Sequence, residues 1–135
     1  MALLYLLDTN TCIYIRQKRP AKIRTRFDKL EAGEMGMSVI TYGELVYGAL
    51  KHDQSERALS ELNRLAELIP VLPLPTEAGD AYGAIRGKLA GSGQIIGPND
   101  LWIAAHALVS DLTLVTNNER EFKRVKDLKI ENWAK

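Results

Sequence analysis

Apolar and polar positions along this chain fall into two alternating textures, short unbroken apolar runs and longer stretches with helical spacing. The unbroken runs Ala2–Leu7 (ALLYLL), Met35–Ile40 and Leu112–Val115 predict strands buried on both faces. Val71–Leu74 carries Pro73 and predicts an edge strand or an extended connection, and Leu128–Ile130 predicts a last short strand. Between these runs the apolar spacing is helical. A helix is expected from Asp8-Thr9-Asn10 onward, and Pro20 starts a second whose Ile23, Phe27 and Leu30 fall at i, i+4 and i+7 before Gly33 stops it. Thr41 opens a third through Leu50. A fourth runs from about Gln54 to Leu68, with Leu59, Leu62, Leu65 and Leu68 on one side and Glu56, Arg57, Glu61, Arg64 and Glu67 largely on the other. Thr76 caps a fifth, with Ala78, Tyr82, Ile85 and Leu89 inward, ending at Gly91-Ser92-Gly93. The segment Gly97–Asn118 (GPNDLWIAAHALVSDLTLVTNN) is the most densely organised. A Gly-Pro turn and the caps Asn99 or Asp100 lead into an apolar helix through Val109, then into the Leu112 strand, which stops at Thr116-Asn117-Asn118. Glu119–Val125 predicts a helical turn, and Trp133 is expected to pack near the C-terminus.

Strands alternating with helices predict an α/β fold, one domain over residues 1–135, with a mostly parallel central sheet and right-handed crossovers. In such sheets the carboxyl ends of the strands and the N-termini of the following helices share one edge, where ligands bind. Asp8, Glu44, Asp100 and the group Asn117–Glu119 all belong to that edge, so four distant positions should meet in one crevice.

Composition narrows the class. The 46% hydrophobic content is ordinary for a globular protein, and the longest apolar run, Leu101–Val109, is about half the roughly 20 residues a membrane span needs. No transmembrane segment is expected, and without a basic leader pattern the expected location is the cytoplasm. The single cysteine, Cys12, rules out an internal disulfide and a Cys-rich zinc site, and reads as a small core residue. Net charge is +1, yet Arg16, Lys18, Arg19, Lys22, Arg24, Arg26 and Lys29 face one acid, Asp28. That segment carries +6 and the remainder −5, which suits either a phosphate backbone or a solvated helix face.

Each acid has a plain structural role open to it. Asp8 and Asp100 can cap helices, and Thr41-Tyr42-Gly43-Glu44 matches a capping box. Capping alone does not call for acids at three β-to-α junctions on one edge, since Ser, Thr or Asn serve as well. Converging carboxylates repel one another unless a cation neutralises them. Mg²⁺ or Mn²⁺ suits such oxygen donors, whereas zinc is disfavoured because His52 and His106 have no paired spacing and His106 reads as a satisfied core histidine. The chemistry predicted is phosphodiester hydrolysis through one or two metal ions.

Four blocks, Asp8-Thr9-Asn10 after an apolar strand, SVITYGELVYG (38–48), GPNDLWIAAHA (97–107) and LVTNNEREF (114–122), resemble the PIN-domain ribonucleases, and more narrowly the VapC toxins of bacterial type II toxin–antitoxin systems. The resemblance covers nearly the whole chain. It implies a three-layer α/β/α fold and a metal-dependent endoribonuclease acting on structured RNA, commonly tRNA. It implies a homodimer held in check by a VapB antitoxin whose C-terminal segment fills the active-site groove, with operator DNA contacted only through that antitoxin. By position Asp8, Glu44 and Asp100 match the family's principal acids and metal ligands. For the fourth site residue Asn118 and Glu119 are both open, and Thr116 matches a hydroxyl that orients Asp8, with Asn10 either holding that turn or simply forming it. Arg86 could meet phosphate or a surface ion-pair partner, and Lys22, Arg24 and Arg26 could face RNA, or their helix could serve the dimer or the antitoxin through Ile23 and Phe27. Trp102 and Tyr47 could be interface aromatics, with burial in the core the expected placement for each. Three other readings stay open: a catalytically silent domain of the same fold that binds RNA or antitoxin, a receiver-like phosphoacceptor module, which wants a strand-end lysine the chain lacks, and a phosphatase using Asp8 as nucleophile.

Overall fold

Strand β1 (Tyr5–Leu7) is the centre about which the other elements assemble, because its residues are apolar on both faces and it pairs on both edges. The computed structural model describes residues 2–18 and 20–135; Arg19 of the basic segment lies outside the described residues. Along the chain follow α1 (Thr9–Gln17), α2 (Ala21–Asp28), β2 (Met35–Ser38), α3 (Val39–Leu50), α4 (Ser55–Leu68), β3 (Val71–Leu72), α5 (Glu77–Gly91), α6 (Pro98–Val109), β4 (Thr113–Val115), α7 (Glu119–Phe122) and β5 (Ile130–Glu131). The five strands form one parallel sheet in the order β3-β2-β1-β4-β5, with Leu6 in register with Gly36 on one side and Leu114 on the other. As expected, the Pro73 segment supplies an edge strand.

Successive residues of a strand point to opposite faces, and β1 shows it. Leu7 joins Met35, Met37, Leu62, Leu65 and Val115 in a core under α1 to α4. Leu6 joins Leu89, Leu101, Ile103, Leu114 and Phe122 in a second core under α5 and α6. The result is the expected three-layer α/β/α arrangement. Helix α3 spans both layers, giving Leu45 to the first core and Ile40 to the second. Cys12 is buried with its Sγ 3.9 Å from the Leu7 carbonyl, and burial pushes its thiol pKa up, in line with a core role.

Several boundaries differ from the sequence pattern. β1 is shorter than the apolar run, and Leu4 is exposed ahead of it. Helix α3 begins at Val39 rather than Thr41, because β2 ends early and Ser38 Oγ accepts the Ile40 N–H at 3.2 Å as its cap. Thr41 therefore lies inside the helix and the capping box with Glu44 does not form. In α6, Gly97 holds the cap position with no side-chain cap, so neither Asn99 nor Asp100 performs that role. Thr76 likewise takes helical backbone angles and makes no capping bond. On α4 the inward stripe is Ala58, Leu62 and Leu65, while Leu68 is exposed. Tyr47 is 65% exposed on α3, contrary to a core placement. Trp102 is half-buried and stacks on Tyr82, with centroids 4.0 Å apart and planes 18° from parallel. Trp133 is buried against the edge of Tyr5. Among the described residues no helix is long and apolar enough to cross a membrane.

Candidate active site

Asp8 leaves β1 at its carboxyl end with extended backbone angles (φ −75°, ψ 173°), and its Oδ1 accepts the Thr11 N–H at 2.9 Å. It does cap α1, but that bond uses one oxygen of a carboxylate that is only 4% exposed. Burial raises its pKa; hydrogen bonds from Thr116 and Thr11 pull it back, and Glu44 pushes it up further. Thr116 thus sits where the sequence placed it, beside Asp8, and its Oγ1 also accepts the Asn118 N–H at 2.9 Å.

Glu44 lies on the second turn of α3, and the Thr9 hydroxyl donates to its Oε1 at 2.6 Å. A hydroxyl has one proton to give, so the Thr41 oxygen, 3.3 Å from Thr9, completes the cluster without taking that bond. Thr9 thereby ties the start of α1 to α3, a role the sequence reading did not assign. Asp100, on the first turn of α6, has its pKa pushed up to about 6, first by burial and then by the charges of Asp8, Glu44 and Glu121.

Glu121 is the residue the sequence reading missed. Asn118 donates from Nδ2 to Glu121 Oε2 at 3.0 Å, so the amide holds a carboxylate whose charge helps raise the Asp100 pKa. Glu119 turns the other way, to Lys135 at 2.8 Å and Asn132 at 3.0 Å, and those partners lower its pKa. The structure therefore places Asn118 next to the site as a support and sets Glu119 outside it. The signal was available in principle: residues three apart on a helical turn share a face, and α7 opens at Glu119.

The remaining candidates stand elsewhere. Asn10 is exposed on the first turn of α1. Arg86 donates to the Tyr82 hydroxyl at 2.7 Å and lies over that ring, part of an aromatic stack with Trp102. Arg24 pairs with Asp28 at 3.1 Å and covers Phe27; Arg26 pairs with Glu131 at 2.7 Å and covers Trp133. Two of the three basic residues predicted to face RNA on α2 are thus engaged within the fold, while Lys22 is exposed. His106 is the satisfied core histidine expected, its Nδ1 2.9 Å from Ser38 Oγ. Glu44 lines two grooves. One, of about 480 Å³, runs between α1, α3 and α4 past Thr9, Ile13, Arg16, Leu45, His52 and Arg57. The other, of about 400 Å³, separates α3 from α6.

The donor set fits a hard cation. Asp8, Glu44, Asp100 and Glu121 offer only carboxylate oxygens; burial first, and neighbouring carboxylates after it, raise the pKa values of Asp8 and Asp100. Among the described residues no three His, Cys, Asp or Glu side chains converge tightly enough to enclose an ion by themselves. His52 accepts a backbone N–H at Nδ1 and is exposed, so a zinc set of two histidines is not formed.

A parallel sheet with acids gathered on its carboxyl edge from β1, α3, α6 and α7 fits the class of α/β nucleases that work through a divalent cation. The PIN domain family model matches residues 5–128. Ribonuclease VapC2 of Haemophilus influenzae and the tRNA(fMet)-specific endonuclease VapC of Shigella flexneri are each 42% identical over 130 residues, covering 96% of this chain and 98% of theirs. A chain in the crystal structure of DNA-bound VapBC from Salmonella typhimurium superposes with a TM-score of 0.91 at 43% identity, over 97% of this chain and 98% of that one. The chain belongs to the PIN-domain family and, within it, to the VapC ribonucleases.

Proposed function

We propose that this protein is the toxin of a type II toxin–antitoxin pair, a single PIN domain that hydrolyses phosphodiester bonds in structured RNA, with tRNA as the substrate class. The observation that carries the reading is the gathering of Asp8, Glu44, Asp100 and Glu121 at one sheet edge, close enough that the charges of the other three add to burial in raising the Asp100 pKa. Asp8, Asp100 and Glu44 are the residues that would hold Mg²⁺, or Mn²⁺ in its place. Such an ion, when bound, acidifies water and offsets charge at phosphorus. Around it the chain's own groups do the positioning. Thr9 fixes the rotamer of Glu44, Thr116 and Thr11 fix Asp8, and Asn118 aims Glu121 toward Asp100. The silent-domain reading rested on the missing acid at Asn118, and Glu121 supplies an acid there.

A VapB-type antitoxin is the proposed inhibitor, its C-terminal segment lying along the groove that Glu44 shares with Arg16 and Arg57, and operator DNA is reached through that partner alone. The similarity to chains from VapBC complexes, one of them DNA-bound, supports this. The antitoxin-free protein is proposed to be a cytoplasmic homodimer, with exposed Val39, Tyr47 and Leu50 of α3 as the apolar face that would be covered. Sedimentation velocity should give a two-chain mass, and Tyr47→Lys a one-chain mass; an unchanged dimer in that variant would place the interface elsewhere.

The function is tested with antitoxin-free protein and purified total tRNA, with Mg²⁺ or with EDTA, alongside Asp8→Asn prepared identically. Discrete fragments that require both the metal and Asp8 are expected. Fragments of the same pattern from Asp8→Asn, or in EDTA, would overturn the assignment.

A further inference from the structure

Helices α3 and α6 each bring one acid to the site, Glu44 and Asp100, and on their solvent side they are parted by the groove lined by Val39, Ile40, Gly43, Tyr47 and Asn99. In the interior the two helices are joined by a hydrogen bond between two buried polar side chains, His106 of α6 and Ser38 at the head of α3, 2.9 Å apart. Neither is among the acids. Ser38 is located twice over: it closes β2 in register with Leu72, and its Oγ accepts the Ile40 N–H at 3.2 Å. His106 stands among Ala104, Ala105 and Ala107, whose small side chains interdigitate less with a neighbouring helix than large ones do. A buried polar pair is different, since it is satisfied at one relative placement and leaves an orphaned donor or acceptor at every other. Burial keeps the imidazole neutral. The Ser38 hydroxyl, with one proton and two lone pairs, keeps its bond from Ile40 N–H and still pairs with Nδ1 in either imidazole tautomer, donating to a bare Nδ1 or accepting from a protonated one.

We propose that the Ser38–His106 hydrogen bond is a positioning device that sets the spacing of α3 from α6, and through it the separation of Glu44 from Asp100. The second half rests on the metal-site reading above, so the test has one arm that needs no metal. Nitroxide labels at Lys51→Cys and Val109→Cys, exposed positions at the C-terminal ends of the two helices, in labelled protein diluted into unlabelled chains so that only pairs within one chain are read, report their distance distribution, Cys12 being fully buried. The distribution should be narrow in the parent, broadened or displaced in His106→Leu, and restored in His106→Asn, whose amide overlays the Nδ1 position. Mn²⁺ binding to the unlabelled variants should weaken about tenfold or more in His106→Leu and recover in His106→Asn. If His106→Leu does not fold, Ser38→Ala takes its place, with Ser38→Thr as the rescue. A parent-like distribution in the folded His106→Leu or Ser38→Ala protein overturns the tie. A displaced distribution with unaltered Mn²⁺ affinity overturns its link to the acids. Absence of Mn²⁺ binding in the parent would fell the metal reading and leave the distance arm to judge the tie.

Discussion

Glu119 and Glu121 share one short helical turn, yet their carboxylates face different neighbours. Glu119 is held by Lys135 and Asn132, while Glu121 is held by Asn118 and adds its charge to Asp100. Glu121→Gln is therefore expected to lower cleavage about 10- to 100-fold, with Glu119→Gln within about twofold of the parent, as initial rates on one RNA substrate would show. Equal losses in the two variants would refute the assignment. At this scale Asp8 and Asp100 lie at the helix starts expected of them, and Glu44 lies one turn deeper into α3 than expected. The sequence left the fourth between Asn118 and Glu119 and passed over Glu121, because α7 is four residues long, too short for apolar periodicity to set its phase, and only the i, i+3 spacing of Asn118 and Glu121 pointed there. The arginines behave alike: Arg26 finds Glu131, 105 residues away, a pairing invisible to local pattern.

Among elements, β2 carries the most consequence for its length. It hands Ser38 to the head of α3 and so determines where Glu44 lies along that helix. The capping box at Thr41 was a sound local signal that lost to the strand ladder, since pairing with β3 ends at Ser38 and the helix starts immediately after. Gly36 lets β2 come close to the β3 segment: an added Cβ would meet Leu72 Cδ1 at 2.8 Å and the Pro70 carbonyl at 3.1 Å. Gly36→Ala should cost ~1–3 kcal/mol, read as a lower denaturation midpoint at unchanged m-value. A midpoint equal to the parent's would show that β3 yields freely.

For the whole molecule the gathered acids set a pH dependence. Asp100 moves from an ordinary value of 3.8 to about 6 on folding, and Asp8 moves in the same direction. Between those two pH values the folded chain holds more protons than the unfolded chain, so this contribution to stability is full below pH ~4 and is lost as pH rises past 6. In EDTA, the thermal midpoint of the parent should fall relative to Asp100→Asn by a few degrees between pH 4.5 and 7, roughly 2–4 °C. Mg²⁺ or Mn²⁺ should restore it by binding the native state alone. A difference between the two proteins that stays constant with pH, or no response to either ion, would remove the electrostatic account.

What the sequence determined by itself was the architecture: apolar runs of strand length between helical stretches leave a parallel sheet as the way to bury both faces of β1, and that sheet brings its junction acids to one edge. It also carried the family, through four blocks in order. Only the tertiary structure decided which oxygen faces which neighbour. Thr9 reaches Glu44 across 35 residues and His106 reaches Ser38 across 68, while Glu121 rather than Glu119 turns toward Asp100. Hydrophobic periodicity is a local property that survives in one dimension; the direction of a polar side chain is settled by partners that only packing brings within 3 Å.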